Sequence, residues 1–230
     1  MGTAILAGAA AGFMLFLLQW ALVTPLIRRA EAFQRLGPWS VVAAHHAAAA
    51  WEPADGAERV AYTAVGTVLT GIGFSAVLLG LASLLGLDLD ARRGLRLGLC
   101  GFVCVALAPA LGLPPKPPGV AVPDLEAAQL WWVLTVVLSS AGLWLLLAPR
   151  GSTLVRGAGA LTMAIPHLLG APAATASTLV PRDLTWRFAA TAIGTQALFW
   201  LMLGTLGGWM QTRHGAEHPS RRRGGVDRAA

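Results

Sequence analysis

Residues 3–26 read TAILAGAAAGFMLFLLQWALVTPL, a run without a charged side chain that is followed by Arg28 and Arg29. A helix needs about 20 predominantly apolar residues to cross the hydrocarbon core of a bilayer, and this run supplies them. A cleavable signal peptide is the alternative interpretation, but such a peptide begins with basic residues and has an apolar core of only about 7–15 residues. We therefore predict that this stretch is the first membrane-spanning helix.

The composition of the whole chain favours the same environment. Of the 230 residues, 56% are hydrophobic and only 12% are charged, whereas a soluble domain has roughly 25% charged residues. Such a chain cannot cover a water-facing surface, so its apolar excess has to face lipid. The formal net charge of +6 comes from arginines in short loops and a terminal tail, which is typical of anchors at an anionic membrane surface rather than of a nucleic-acid-binding face. We expect the lipid bilayer, and no nucleic acid, as a partner.

Five further apolar runs follow the first, at 60–87, 97–111, 127–148, 154–171 and 188–210. The third and fifth of the six runs are short, and each has a proline near its end (Pro109 and Pro166). The fold class that we predict is an all-α polytopic integral membrane protein with six transmembrane helices. Five helices are the alternative, because a short run could re-enter the membrane instead of crossing it.

The runs define a membrane domain over residues 1–211 and leave a polar tail at 212–230, which we expect to be disordered, basic and cytoplasmic. Six crossings place both termini on one side. That side has ten of the 17 basic residues, so the positive-inside rule predicts that both termini are cytoplasmic. The segments 43–62, 112–119 and 172–187 are then expected to face outward.

The segment 43–62, AAHHAAAAWEPADGAERVAY, concentrates potential metal ligands just before the second run. Imidazole nitrogens suit transition metals such as zinc, copper, iron and nickel, and carboxylate oxygens add negative charge. The segment therefore predicts an outward-facing site for a divalent transition metal, with His45, His46 and Glu52 as ligands. Two surface histidines in a loop are the alternative interpretation.

Two more carboxylates in this segment have both a functional and a structural interpretation. Asp55 and Glu58 could add charge to the metal site. They also have the spacing of a capping box, in which Asp55 would cap the second helix and Glu58, three residues later, would be its partner. The sequence leaves both roles open.

His167 lies beside Pro166 near the end of the fifth run. Ionisable groups inside a membrane are costly and usually functional, so His167 could be a metal ligand. It could also bond a backbone carbonyl that the proline leaves free. The related stretches PALGLP at 109–114 and PHLLGAP at 166–172 put broken helix ends on the same outer side, and transporters bind substrates at such interruptions.

The chain has no nucleotide-binding or hydrolase motif of the P-loop, G-x-G-x-x-G, H-E-x-x-H or G-x-S-x-G type. We therefore expect neither an enzyme nor a bound cofactor, and no ATP-driven transport by this chain alone. Cys100 and Cys104 lie four residues apart inside an apolar run, on one helix face, and we interpret them as buried core residues.

Several stretches together resemble a known family. They are WEPADGAERVAY at 51–62, TVLTGIGF at 67–74, LAPALGLPPKPPG at 107–119, DLEAAQLWWVLT at 124–135, PHLLGAP at 166–172 and ALFWLMLGTLGGW at 197–209. In content and order they resemble the CbtA family of predicted cobalt transporter subunits. The resemblance implies a multi-pass protein of the bacterial plasma (inner) membrane, Co²⁺ as the transported substrate for cobalamin synthesis, and a small single-span partner, CbtB.

The residues and the resemblance together predict transmembrane uptake of a divalent transition metal ion, cobalt by the resemblance. His45, His46 and Glu52 would capture the ion outside, Asp55 and Glu58 would add charge, and His167 would receive it. One alternative is a non-catalytic membrane subunit whose partner binds the metal. The other is a transporter of a different cation.

Overall fold

The computed structural model describes residues 2–36, 51, 53–174 and 180–217. In these parts the chain forms helices and connecting loops, and we label six long helices. The bounds are α1, Gly2–Leu18 continued by a π-helical segment Gln19–Val23 and by Thr24–Leu36; α2, Ala57–Leu84; α3, Ala91–Gly101 continued by a π-helical segment Phe102–Leu107 and by Ala108–Gly112; α4, Leu125–Leu146; α5, Thr153–Leu169; and α6, Arg182–Glu217. The chain is therefore an all-α polytopic membrane protein.

Five of these helices contain stretches long and apolar enough to cross a membrane, namely Gly2–Phe33, Ala57–Leu84, Ala91–Gly112, Leu125–Leu146 and Arg182–Arg213. Helix α5 has 17 residues and a length of about 26 Å at 1.5 Å per residue, slightly less than the roughly 30 Å of a bilayer core. The prediction of a short, Pro-containing helix is thus confirmed for α5.

The same prediction is wrong for α3, which begins at Ala91 rather than at 97. The Asp90 carboxylate accepts a hydrogen bond of 2.8 Å from the Arg93 N–H and caps the helix. The cap stabilises a first turn that contains Arg92 and Arg93, so the helix begins before the apolar run. This backbone hydrogen bond, together with Arg92 and Arg93, lowers the pKa of Asp90. Pro109 lies inside the last segment of α3 without ending the helix.

Helix α6 also differs from its predicted bounds. It begins at Arg182 and stays helical to Glu217, so the first residues of the predicted tail continue the helix. Residues 218–230, on which the rest of the tail prediction falls, lie outside the described residues.

Helices α1 and α2 pack antiparallel along glycines. A Cβ atom on Gly8 would lie 2.5 Å from the Cα of Ile72, and one on Gly12 would lie 2.6 Å from the carbonyl oxygen of Thr67. In lipid, helices associate through close van der Waals contact, which small residues permit. We call this contact the α1–α2 seam.

Two further antiparallel seams complete the bundle. In the α3–α6 seam, Gly94 faces Gly204 and Gly208, while Gly98 faces Gly204 and the backbone of Trp200. In α4 and α5, a Cβ on Gly142 would lie 2.5 Å from the carbonyl oxygen of Gly159. Helix α6 joins the α1–α2 pair to the α3–α6 pair, because Phe199, Trp200 and Leu203 form one buried cluster with Ala11, Leu15 and Leu78.

Contacts between helix ends define two ends of the bundle. At one end, which we call the first end, Ala4 packs against the cluster of Leu79, Ala82 and Leu89, and Gly208 lies against Asp90. The beginning of α1 and the late part of α6 therefore share this end.

The second end collects the remaining loops. Ala30, Val180 and Leu184 form a buried cluster on which Val120 packs. The Trp131 indole N–H donates to the Pro166 carbonyl at 3.3 Å, which places the last turn of α5 beside the start of α4. Helix α5 therefore returns to the end at which α4 begins, as six passes require.

Substitution of Gly71 tests the α1–α2 seam. A Cβ at Gly71 would press on the Gly8 carbonyl oxygen and on the Cα of Gly12, whereas one at Gly73 meets nothing within 4 Å. We expect Gly71→Ala to destabilise the protein by about 1–3 kcal/mol, as overpacking does in other cores, and to lower the melting temperature in detergent by several degrees. The matched control Gly73→Ala should melt at or above the wild-type temperature. Equal melting temperatures for the two variants would contradict the seam.

Candidate functional site

A cavity of about 840 Å³ lies between the second-end half of α1 and the start of α2. We call it the mouth cavity. Its described charged and amide-bearing lining residues are Gln19, Arg28, Glu31, Asp55 and Arg59. The mouth cavity therefore combines two carboxylates with two guanidinium groups beside an otherwise apolar helix pair.

Arg59 connects the two carboxylates of the mouth cavity. Its Nη1 lies 3.0 Å from Asp55 Oδ1, and its Nη2 lies 3.2 Å from Glu31 Oε1. The Asp55 side chain is 85% exposed, whereas that of Glu31 is 21% exposed. Exposed ion pairs contribute little stability, but this guanidinium neutralises both carboxylates, so an entering cation has to compete with it.

The predicted capping box at the start of α2 is wrong. The N-cap residue is Gly56, and no side chain caps the helix there. Gly56 has a φ of 101°, a backbone conformation that glycine adopts without strain. This turn directs the Asp55 carboxylate to Arg59 instead of to the helix N-terminus. Glu58 is exposed in the first turn of α2, where the helix dipole favours a negative charge.

His167 lies in the last turn of α5 and is half-buried. Its ring meets the Trp131 ring edge-on, with 5.9 Å between the centroids and 75° between the planes. The Pro166 carbonyl accepts hydrogen bonds from the Trp131 indole N–H and from the Gly170 N–H. Within the described part of the chain, the His167 ring contacts Trp131 and makes no hydrogen bond.

The described residues bring the predicted metal ligands to one end of the bundle but not into one cluster. Asp55 and Glu58 lie at the α1–α2 mouth, and His167 lies on the α4–α5 pair. No group of three or more His, Cys, Asp or Glu side chains in the described part of the chain is arranged to hold a metal ion. His45, His46 and Glu52 lie outside the described residues, so the six-residue set stays a prediction.

A second cavity, of about 420 Å³, lies between the helices beside the first. We call it the central cavity. Its described lining comes from five of the six labelled helices, and only α5 is not represented. Gln19 and Val23 line both cavities, so the two are adjacent. Gln196 of α6 and Pro109 of α3 also line the central cavity.

Both π-helical segments of the described chain border the central cavity. In α1, the Thr24 N–H and hydroxyl both reach the Gln19 carbonyl, the hydroxyl at 3.2 Å. In α3, the Ala108 N–H bonds to the Val103 carbonyl just before Pro109, which has no N–H to donate. Such π-helical turns often mark functional sites.

Sequence reasoning missed three features of this site. The four-residue spacing of Asp55 and Arg59 is a sequence signal for their ion pair. The bond from Arg59 to Glu31 joins residues 28 apart, and nothing in the local pattern indicates it. Gln19 and Gln196 line one cavity from two helices, and neither side-chain amide bonds another described residue.

The interpretation of the two cysteines as buried core residues is confirmed for Cys104 in α3, whereas Cys100 is half-buried. Both thiols are free. Neither lines the mouth cavity or the central cavity, so these cavities expose no thiol from the described chain.

Comparison with known proteins gives one match. A family model described as "Probable cobalt transporter subunit (CbtA)" matches residues 1–212, which include all of the described helices except the last residues of α6. No curated protein and no solved structure matches the chain.

Proposed function

The chain belongs to the CbtA family, whose members are described as probable cobalt transporter subunits, and from this premise we propose that it moves Co²⁺ inward across the bacterial plasma membrane for cobalamin synthesis. The observation that carries the proposal is the pair of adjacent cavities, which extends from the charged mouth at the second end to two glutamines between the helices. We further propose that the second end faces outward and that both termini are cytoplasmic, in agreement with the distribution of arginines.

The proposed capture site is the segment that joins α1 to α2. This segment contains His45, His46 and Glu52, and the facing ends of the two helices border the mouth cavity. Imidazole is a good ligand for a divalent transition metal. Asp55 and Glu58, at the start of α2, add negative charge beside it. An ion captured there has the mouth cavity as its next space.

His167 is proposed as a further ligand at the outer end of the α4–α5 pair. Its ring lies against Trp131, and His167 lines neither the mouth cavity nor the central cavity. Its contribution would therefore concern capture at the surface rather than passage through the central cavity.

The family description names a subunit, so the chain works with a partner. We propose that this partner is a small single-span protein of the CbtB type with histidines near its membrane end. In one alternative the partner binds the metal and this chain is a non-catalytic membrane subunit. A transporter of another cation is the third candidate.

Replacing both histidines of the capture segment tests the main proposal. We expect His45→Ala/His46→Ala to reduce the initial rate of radioactive cobalt uptake by whole cells at least about tenfold at low external cobalt, because each lost ligand weakens metal binding. The matched control is His218→Ala, which removes a histidine from the tail segment. Uptake equal to that of the wild type in the double variant, at equal membrane abundance, would refute capture by this pair.

Two substitutions of His167 separate ligation from packing. His167→Ala removes both the nitrogens and the ring, whereas His167→Phe keeps a ring against Trp131 and removes only the nitrogens. If His167 is a ligand, both variants should lose cobalt uptake to a similar extent in the same whole-cell assay. Wild-type uptake by His167→Phe would assign His167 to packing alone.

Titration of the purified chain distinguishes the candidate functions. We expect isothermal calorimetry of the chain alone to show cobalt binding that the His45→Ala/His46→Ala variant lacks, and a metal series to show a preference for cobalt. Binding only after addition of the CbtB-type partner would support the non-catalytic subunit. A clear preference for another ion would identify a different substrate.

A further inference from the structure

We propose that the central cavity is an intermediate binding site in which a divalent cation keeps its water shell and is held through that shell by the side-chain amides of Gln19 and Gln196. This inference rests on the proposed function, and it adds to it a second binding site with a chemistry different from that of the histidine capture site.

The central cavity extends from the middle of the bundle to Leu113 and Pro115, in the loop that follows α3. Gln19 is near the middle of the spanning stretch Gly2–Phe33, and Gln196 is near the middle of Arg182–Arg213. The two glutamines come from helices at opposite ends of the chain and line the same space. Because Gln19 also lines the mouth cavity, an ion that enters the mouth meets this amide first.

The two amides have no hydrogen-bond partner among the described residues. Each is half-buried. A polar group that lacks a partner in a membrane interior costs free energy, and such groups persist where protein or a watery cavity satisfies them. The polar groups therefore indicate that the central cavity is filled with water or with a hydrated ligand.

The π-helical turns of α1 and α3 border the same space, and their Gln19 and Val103 carbonyls accept i→i+5 hydrogen bonds. The polar side chains of the described lining are therefore the amides of Gln19 and Gln196. Amide oxygens are neutral acceptors, and these suit the polarised hydrogen atoms of water bound to a cation.

The lining also excludes tight, direct ligation of a transition metal. None of the described lining residues of the central cavity is a carboxylate, an imidazole or a thiol, the groups that bind such metals directly. Hydrogen bonds from the ion's bound water molecules to the protein are weaker than direct metal–ligand bonds. The ion can therefore dissociate from the site. An intermediate position in a transport route requires this property.

The volume of the central cavity fits this mode of binding. At about 30 Å³ per water molecule, 420 Å³ has room for roughly 14 waters. A divalent cation with an octahedral shell of about six waters needs less than half of that space. The shell can therefore stay intact while its outer hydrogen atoms reach Gln19 or Gln196.

Glutamine-to-leucine substitutions test the role of the amides in transport. We expect Gln19→Leu and Gln196→Leu each to lower the maximal rate of cobalt uptake by about tenfold, since a hydrogen bond to a charged partner is worth about that factor. The matched control is Gln129→Leu, which replaces an exposed glutamine of α4 that lines neither cavity. Size-exclusion chromatography in detergent verifies that each variant is folded.

Cysteine labelling tests the water in the cavity without relying on uptake by the variant. In a Cys100→Ala/Cys104→Ala background, we expect a membrane-impermeant cationic thiol reagent to modify Gln196→Cys, and external cobalt to slow the modification. The control is Leu198→Cys, because Leu198 lies two residues along α6 and is 49% exposed on the outer surface of the helix. This cysteine should stay unmodified in membranes.

The outcomes separate the two proposals. If the wild type takes up cobalt but the glutamine variants match Gln129→Leu, or if Gln196→Cys is as unreactive as Leu198→Cys, the hydrated-ion site is refuted and the proposed function stands. If the wild type takes up no cobalt together with its partner, the proposed function fails and the inference fails with it. Reduced uptake in both leucine variants, with cobalt-protected labelling of Gln196→Cys, supports the site.

Discussion

Direct contact between the backbones of antiparallel helices is the constraint on which this bundle depends. Lipid tails are as apolar as leucine, so burial of apolar side chains from lipid provides no driving force for association, and helices gain stability by packing closely. Glycine permits this approach, because the positions that a Cβ would occupy at Gly8, Gly94 and Gly142 are already filled by the neighbouring backbone. The three seams pair the six helices, and the buried cluster around Phe199 fixes α6 against α1.

The positions of the seams also determine where the bundle is open. Gly8 and Gly12 hold α1 against α2 in the half nearest the first end. Farther along α1, larger residues such as Phe16 and Trp20 replace the glycines and line the mouth cavity. The same change occurs in α3, where Gly94 and Gly98 are followed by the π-helical segment and the central cavity. The cavities therefore form where the glycine pattern ends.

The sequence alone predicted the fold class and the six apolar segments that form long helices, of which five are long and apolar enough to cross a membrane, because the length of an apolar run reports directly on membrane crossing. The start of α3 was predicted six residues too late, because Arg92 and Arg93 lower the mean hydropathy of the first turns. The helix nevertheless begins at Ala91, since the Asp90 carboxylate accepts the Arg93 N–H and caps it. The capping role of Asp55 failed because the positive φ of Gly56 redirects the chain. The cavities could not be predicted, since Gln19 and Gln196 meet only through tertiary packing. Close helix contacts are indicated by pairs of glycines four residues apart, at 8 and 12, 94 and 98, and 204 and 208. No local pattern indicates which helix packs against which.

The α1–α2 and α3–α6 seams have a mechanical consequence at the first end. Backbones in direct contact leave no space for an ion or a water molecule between the two helices of a pair, so an ion can pass between them only if the pair separates. At Gly8, Gly12 and Gly71 the nearest atoms across the seam are backbone atoms, so these two surfaces can slide or part without breaking side-chain hydrogen bonds or ion pairs. The glycines that hold α1 and α2 together thus also leave that contact without directional bonds.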